Sequence, residues 1–185
     1  MKLASILCGL SLTFAATAAS AEVVETRADG FKLESRVQIG TGDRELVWSE
    51  LVGIGDWWSD SHTYSGDASN ISITPEAGGC WCEIWPGGQI EHGRIILAWP
   101  ERGILRAEAP LGPLQAQAVN AVLTWEIRSR GQGEGLEIVQ TFEVNGGTAA
   151  TAQAAPLVDM VMTEGLDRFR RYMASGDPEG ELDDE

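Results

Sequence analysis

Glu83, His62, His92 and Tyr64 are the residues whose types and spacing could move a proton in this chain, and the chain holds only two histidines. Glu83 lies in Gly78-Gly-Cys-Trp-Cys-Glu-Ile-Trp85, a short aromatic strand that the Pro86-Gly87-Gly88 turn reverses into an antiparallel partner. Period-two alternation puts Trp81, Glu83 and Trp85 on one face and Cys80, Cys82 and Ile84 on the other. Pairing Trp85 with Gln89 or Ile90 brings Glu83 opposite Glu91 or His92. Glu83, a histidine and Tyr64 would then form an acid/base set for enolisation or dehydration of a substrate held among tryptophans. The plainer reading is a structural ion pair between Glu83 and His92 or Arg94. A zinc or iron site from His62, Glu83 and His92, with Cys82, would need convergence that spacing does not show. No metal or other cofactor is therefore expected.

Cys80 and Cys82 on one straight strand would stand about 6.6 Å apart with parallel side chains, at the edge of disulfide geometry. Two small buried thiols are expected instead.

Seven tryptophans, Trp48, Trp57, Trp58, Trp81, Trp85, Trp99 and Trp125, are many for 185 residues. Core packing is their default role, and some can also line a pocket and stack on a flat ligand. The candidate lining is Trp81, Trp85, Trp99 and Trp125 from the sheet, with Met162, Phe169 and Met173 of the last helix as the opposite wall. His62, Tyr64 and Arg94 join it as further contacts, and Glu83 with His92 supplies a polar anchor. Arg94 and Arg106 on adjacent strands could read a carboxylate, although pairing with surface acids is the commoner fate.

The elements that must position these groups follow from periodicity. Phe31 to Ile39 alternates as a first strand, Glu45 to Val52 has helical spacing, and Ile54 to Ser59 forms a second short helical turn. Six strands follow, Ala68 to Thr74, Gly79 to Trp85, Glu91 to Trp99, Gly103 to Ala107, Ala118 to Arg130 and Gly135 to Val144, each parted by Gly- or Pro-bearing turns. Ala152 to Ala174 then reads as one long amphipathic helix, with Pro156 in its first turns and Gly176 and Pro178 ending it. The order implies an α+β fold: a curved antiparallel sheet of about six or seven strands wrapped around the C-terminal helix, with two short helices after the first strand. A cavity remains between sheet and helix wherever the lining residues do not fill it.

Residues 1–21 read as a secretory signal peptide, with Lys2, an apolar run from Leu3 to Phe14 and Ala19-Ser20-Ala21 as the cleavage site. The run is too short to span a membrane. Removal of the signal leaves one domain, 22–175, and an acidic tail, 176–185, expected to be disordered. Twelve basic residues then face 28 acidic ones, a formal charge of −16. Such a surface disfavours nucleic acid and anionic lipid, because both need a basic patch. The expected location is periplasmic or secreted, without stable membrane insertion, and the sequence leaves the oligomeric state open.

Taken together, Val47-Trp48, Trp57-Trp58, His62-Thr-Tyr-Ser-Gly66, Gly78-Gly-Cys-Trp-Cys-Glu83, Glu91-His-Gly-Arg94, Leu111-Gly-Pro-Leu114, Trp125 and the final helix resemble the SRPBCC superfamily. This is the helix-grip or START-like fold, shared with birch-pollen-type allergens, polyketide cyclases and activators of the heat-shock ATPase. The resemblance covers about Phe31 to Gly176 and implies a deep hydrophobic cavity. Members range from lipid and hormone carriers to cyclases and co-chaperones, so the fold does not choose among them. A secreted protein would not meet a cytosolic chaperone, so likeness to the ATPase activators is read as fold kinship. The expected function is binding of a small hydrophobic or aromatic ligand. The alternatives are a cyclase or dehydratase using Glu83 and His92 as acid and base, and a protein-interaction module.

Overall fold

The computed structural model describes residues 20–131 and 134–181. Eight antiparallel strands form one open sheet in the order β1-β2-β8-β7-β6-β5-β4-β3, and a long C-terminal helix packs against it. The class is α+β, and the arrangement is compatible with a helix grip. The strands are β1 (Ser20–Arg27), β2 (Gly30–Ile39), β3 (Ile71–Ile73), β4 (Cys80–Trp85), β5 (Gly88–Trp99), β6 (Ile104–Glu108), β7 (Asn120–Ser129) and β8 (Leu136–Asn145). The helices are α1 (Arg44–Val52), α2 (Ala149–Gln153) and α3 (Ala155–Ser175).

Sequence periodicity located seven of these strands, and β1 is the addition. Its register with β2 shifts between Val23 and Glu25, and Val24 is exposed. That irregularity removes the alternation by which a strand is recognised. Apart from Ser20 and Ala21, which open β1, the expected signal segment lies outside the described residues. β3 is shorter than expected because Asp67 caps a 3-10 turn at Ala68–Asn70, accepting from the Ser69 amide at 2.9 Å.

The core lies between the concave face of the sheet and α3. Phe31 and Leu33 of β2, Ile138 and Phe142 of β8, and Leu166 and Phe169 of α3 are fully buried there. Gln140 locks the two layers together: its Oε1 accepts from Trp125 Nε1 at 2.7 Å, and its Nε2 donates to the Met162 carbonyl at 3.0 Å. Arg168 performs a similar task for the loop after α1, donating to the Trp57 carbonyl at 3.0 Å and the Trp58 carbonyl at 3.3 Å. The same guanidinium pairs with Glu179, and Arg171 donates to the Pro178 carbonyl at 2.8 Å. The start of the acidic tail is thereby folded back on α3.

Cys80 and Cys82 form a disulfide, contrary to the expectation of free buried thiols. Their Cα atoms are 5.4 Å apart, closer than in a straight strand. The ladder between β4 and β5 is irregular at that point, and the local coiling it imposes draws the two residues together. Both cysteines are half-buried on the convex face, outside the core. Closing so short a loop stabilises the fold by only about 1.5 kcal/mol in the chain-entropy account.

Candidate functional site

The site begins with a β-bulge. Trp81 pairs with Gly93 and Cys82 with Glu91, so β5 carries one residue more than β4, and that residue is His92. A bulge lets two successive side-chain positions face the same way. His92 and Gly93 are accordingly both buried on the concave side, between exposed Glu91 and Arg94. Position 93 has to be small, because a Cβ there would stand 2.7 Å from Ala109 Cβ and 2.8 Å from the Glu108 carbonyl oxygen.

Glu83 does not stand opposite Glu91 or His92, as simple pairing suggested. It pairs with Ile90, and the bulge returns His92 to it. His92 Nε2 lies 2.9 Å from Glu83 Oε2. The Glu83 side chain is completely buried, and that of His92 is 8% exposed. Glu83 also accepts from the backbone amides of Tyr64, at 3.1 Å, and Ser65. Burial is the largest single influence on this carboxyl and pushes its pKa up. The bonds from Ser65, Tyr64 and His92 together outweigh it and hold the pKa below the usual 4.5.

An ionised carboxylate only accepts, so the proton between the pair sits on His92 Nε2. Among the described residues Nδ1 has no protein partner, and the ring lines the cavity. Glu83 is thus a positioning residue whose lone pairs are engaged, while His92 offers the free nitrogen.

The loop clamped by Glu83 carries the second histidine. His62 Nε2 is 3.0 Å from Glu164 Oε2 of α3, and the Glu164 side chain is 40% exposed. Partial burial raises the Glu164 pKa, but hydrogen bonds from His62 and Ser59 overcome it and leave the pKa lowered. His62, Thr63 and Tyr64 form one side of the cavity mouth.

Behind that mouth is a cavity of about 480 Å³, within the range of small-molecule sites. The sheet contributes Ile71, Trp81 and His92, and the loop after α1 contributes Trp58. Leu111, Pro113 and Leu114 close one flank, and Val158, Val161 and Met162 of α3 form the far wall. Carbon dominates the lining. Trp58 lies directly against α3 at Gly165, where a Cβ would come 2.5 Å from its ring.

Of the expected lining, Trp81, His62, Tyr64, His92 and Met162 reach the cavity. The others do not. Trp125 is buried beneath it, packed on Trp57 and Trp81 and hydrogen-bonded to Gln140. Phe169 lies further along α3 in the core against Trp57, and Met173, beyond it, packs on the core edge. Trp85 folds over Gly88 at the hairpin, and Trp99 is half-exposed beneath the Arg102 guanidinium. Arg94 faces outward and binds Glu91, while Arg106 donates to Thr124.

The contribution of Leu111 to Leu114 was legible only as a motif, because a 3-10 segment has no burial period to read. Val158 and Val161 fall on the apolar stripe of the amphipathic helix, and periodicity gives no signal that this part of the stripe faces open space.

The metal set considered above is not assembled. Cys82 faces away in a disulfide, His62 is held by Glu164, and no group of three or more His, Cys, Asp or Glu among the described residues could hold a metal ion. No helix among the described residues is long and apolar enough to cross a membrane.

No family model matches the chain, and no curated protein matches it. Solved structures do. A conserved protein of unknown function from Enterococcus faecalis aligns with a TM-score of 0.58 at 12% identity, over 90% of this chain and 83% of its own. CalU16 from Micromonospora echinospora aligns with a TM-score of 0.57 at 16% identity, over 88% and 87%. A Rhodobacter sphaeroides protein aligns with a TM-score of 0.51 at 20% identity, over 85% and 99%. At these identities the likeness is one of fold.

Proposed function

We propose that this chain is an SRPBCC-type helix-grip protein, secreted or periplasmic, that binds a small hydrophobic or aromatic molecule between its sheet and α3. The observation that carries this reading is the cavity of about 480 Å³, walled mainly by carbon and bearing the His92 imidazole oriented by a buried carboxylate. Trp58 and Trp81 offer ring faces and edges for an aromatic guest, and His92 Nδ1 anchors a single polar group on it. The address rests on the sequence of residues 1–21.

The test is direct. Protein purified under native conditions is denatured, and the released small molecules are identified by mass spectrometry. In parallel, indole fluorescence is titrated with a panel of aromatic and fatty ligands. A bound apolar compound, or saturable quenching that is lost in Met162→Trp, supports carriage. No released compound and no quenching across the panel refutes it.

The Glu83–His92 contact favours a second reading, a cyclase or dehydratase. In it His92 takes the proton and Glu83 holds the ring, rather than both acting as acid and base. His92→Gln abolishes turnover of any substrate found if this is right, and unchanged kcat excludes it.

A further inference from the structure

The disulfide on the outer face of β4 is poorly explained as a staple. It joins residues two apart in sequence, on a strand that already pairs with β3 and β5, so it removes little freedom from the unfolded chain. It is also not hidden, since both cysteines are half-buried on the convex side. Their surroundings differ in charge. Register places Arg94 directly across from Cys80, and Glu91 across from Cys82, on the same face. Arg94 and Glu91 also pair with each other at 2.9 Å, so β5 carries the cation at the Cys80 register and the anion at the Cys82 register.

A thiolate is stabilised beside a guanidinium and destabilised beside a carboxylate, and the better-stabilised thiolate leaves faster in disulfide exchange. We propose that Cys80–Cys82 is an exchangeable redox site for thiols, with Cys80 as the reactive sulfur. In the reductive direction a thiolate of the glutathione class attacks Cys82 Sγ. The Cys80–Cys82 bond breaks, and Cys80 departs as a thiolate opposite Arg94. A second thiolate attacks the outer sulfur of the mixed disulfide and releases Cys82 as a thiol. Two thiols become one disulfide, their two electrons pass to the protein, and their two protons go to Cys80 and Cys82. Excess disulfide reverses each step: the Cys82 thiolate attacks it and takes up one half while the other leaves as a thiolate, and the Cys80 thiolate then attacks Cys82 Sγ and expels the half it carries.

The experiment equilibrates the full chain in glutathione buffers spanning oxidised to reduced. Each sample is quenched with acid, alkylated and digested with trypsin. No Lys or Arg lies between Glu45 and Arg94, so both cysteines travel in one peptide, separate from Cys8. The expected result is a peptide that gains two alkyl groups in reducing buffer and loses them reversibly in oxidising buffer. Cys82→Ser, which keeps Cys80, forms the glutathione adduct several-fold faster than Cys80→Ser, and adding Arg94→Ala removes the difference. A peptide that stays bonded in millimolar reduced glutathione, or that stays fully alkylated in oxidising buffer, overturns the proposal. Equal rates in the two single-cysteine variants overturn the role given to Cys80.

Discussion

His92 meets Glu83 at 2.9 Å and His62 meets Glu164 at 3.0 Å, both at the wall of one cavity. The two contacts are nearly identical in length and differ in almost everything else. Glu83 is sealed from solvent and holds two backbone amides besides the imidazole; Glu164 projects from α3 with much of its side chain in water. Water competes for the second pair and not for the first. The inner pair therefore sets the position of a loop and a ring, whereas the outer pair can open without disturbing the fold.

Glu83→Ala gives the sharpest test of that contrast. It leaves two amides and an imidazole unpaired, and about 3–5 kcal/mol of stability should be lost in denaturant unfolding. A loss as small as that of Glu164→Ala would break the comparison. Acid reads the same effect. Glu83 has a lower pKa folded than unfolded, so its contribution is present in full above the ordinary value of 4.5 and fades as pH falls below it. The stability gap between wild type and Glu83→Ala should narrow in that range, and a gap constant with pH would show that charge is irrelevant. Gly93→Ala comes next, at about 1–3 kcal/mol, because the new methyl meets Ala109 and the Glu108 carbonyl. It should also displace His92, visible as a shifted imidazole resonance in NMR. Glu164→Ala should cost under about 1 kcal/mol, with an unchanged thermal midpoint within a few degrees.

Much of this architecture could be read residue by residue. Alternation in Phe31 to Ile39 and from Gly79 onward reflects one wet and one dry sheet face, and the stripe from Leu157 to Met173 reflects one buried helix face. The site was harder, because inwardness alone does not separate Trp81, which borders the space, from Trp125, which supports it. Trp99 misled for a different reason: it lies near a strand end on the outer face, half-exposed under Arg102, and does not point inward at all.

The sequence by itself determined the succession of strands and helices and the face on which each apolar residue falls, since those depend on periods of two and 3.6 along the chain. Only the tertiary structure decided that His92 reaches Glu83, that Cys80 bonds Cys82 and that Trp58 lies against Gly165. Each of these turns on a shift of a few ångströms, at the bulge between β4 and β5 for the first two and between segments distant in sequence for the third, and no local period encodes such a distance.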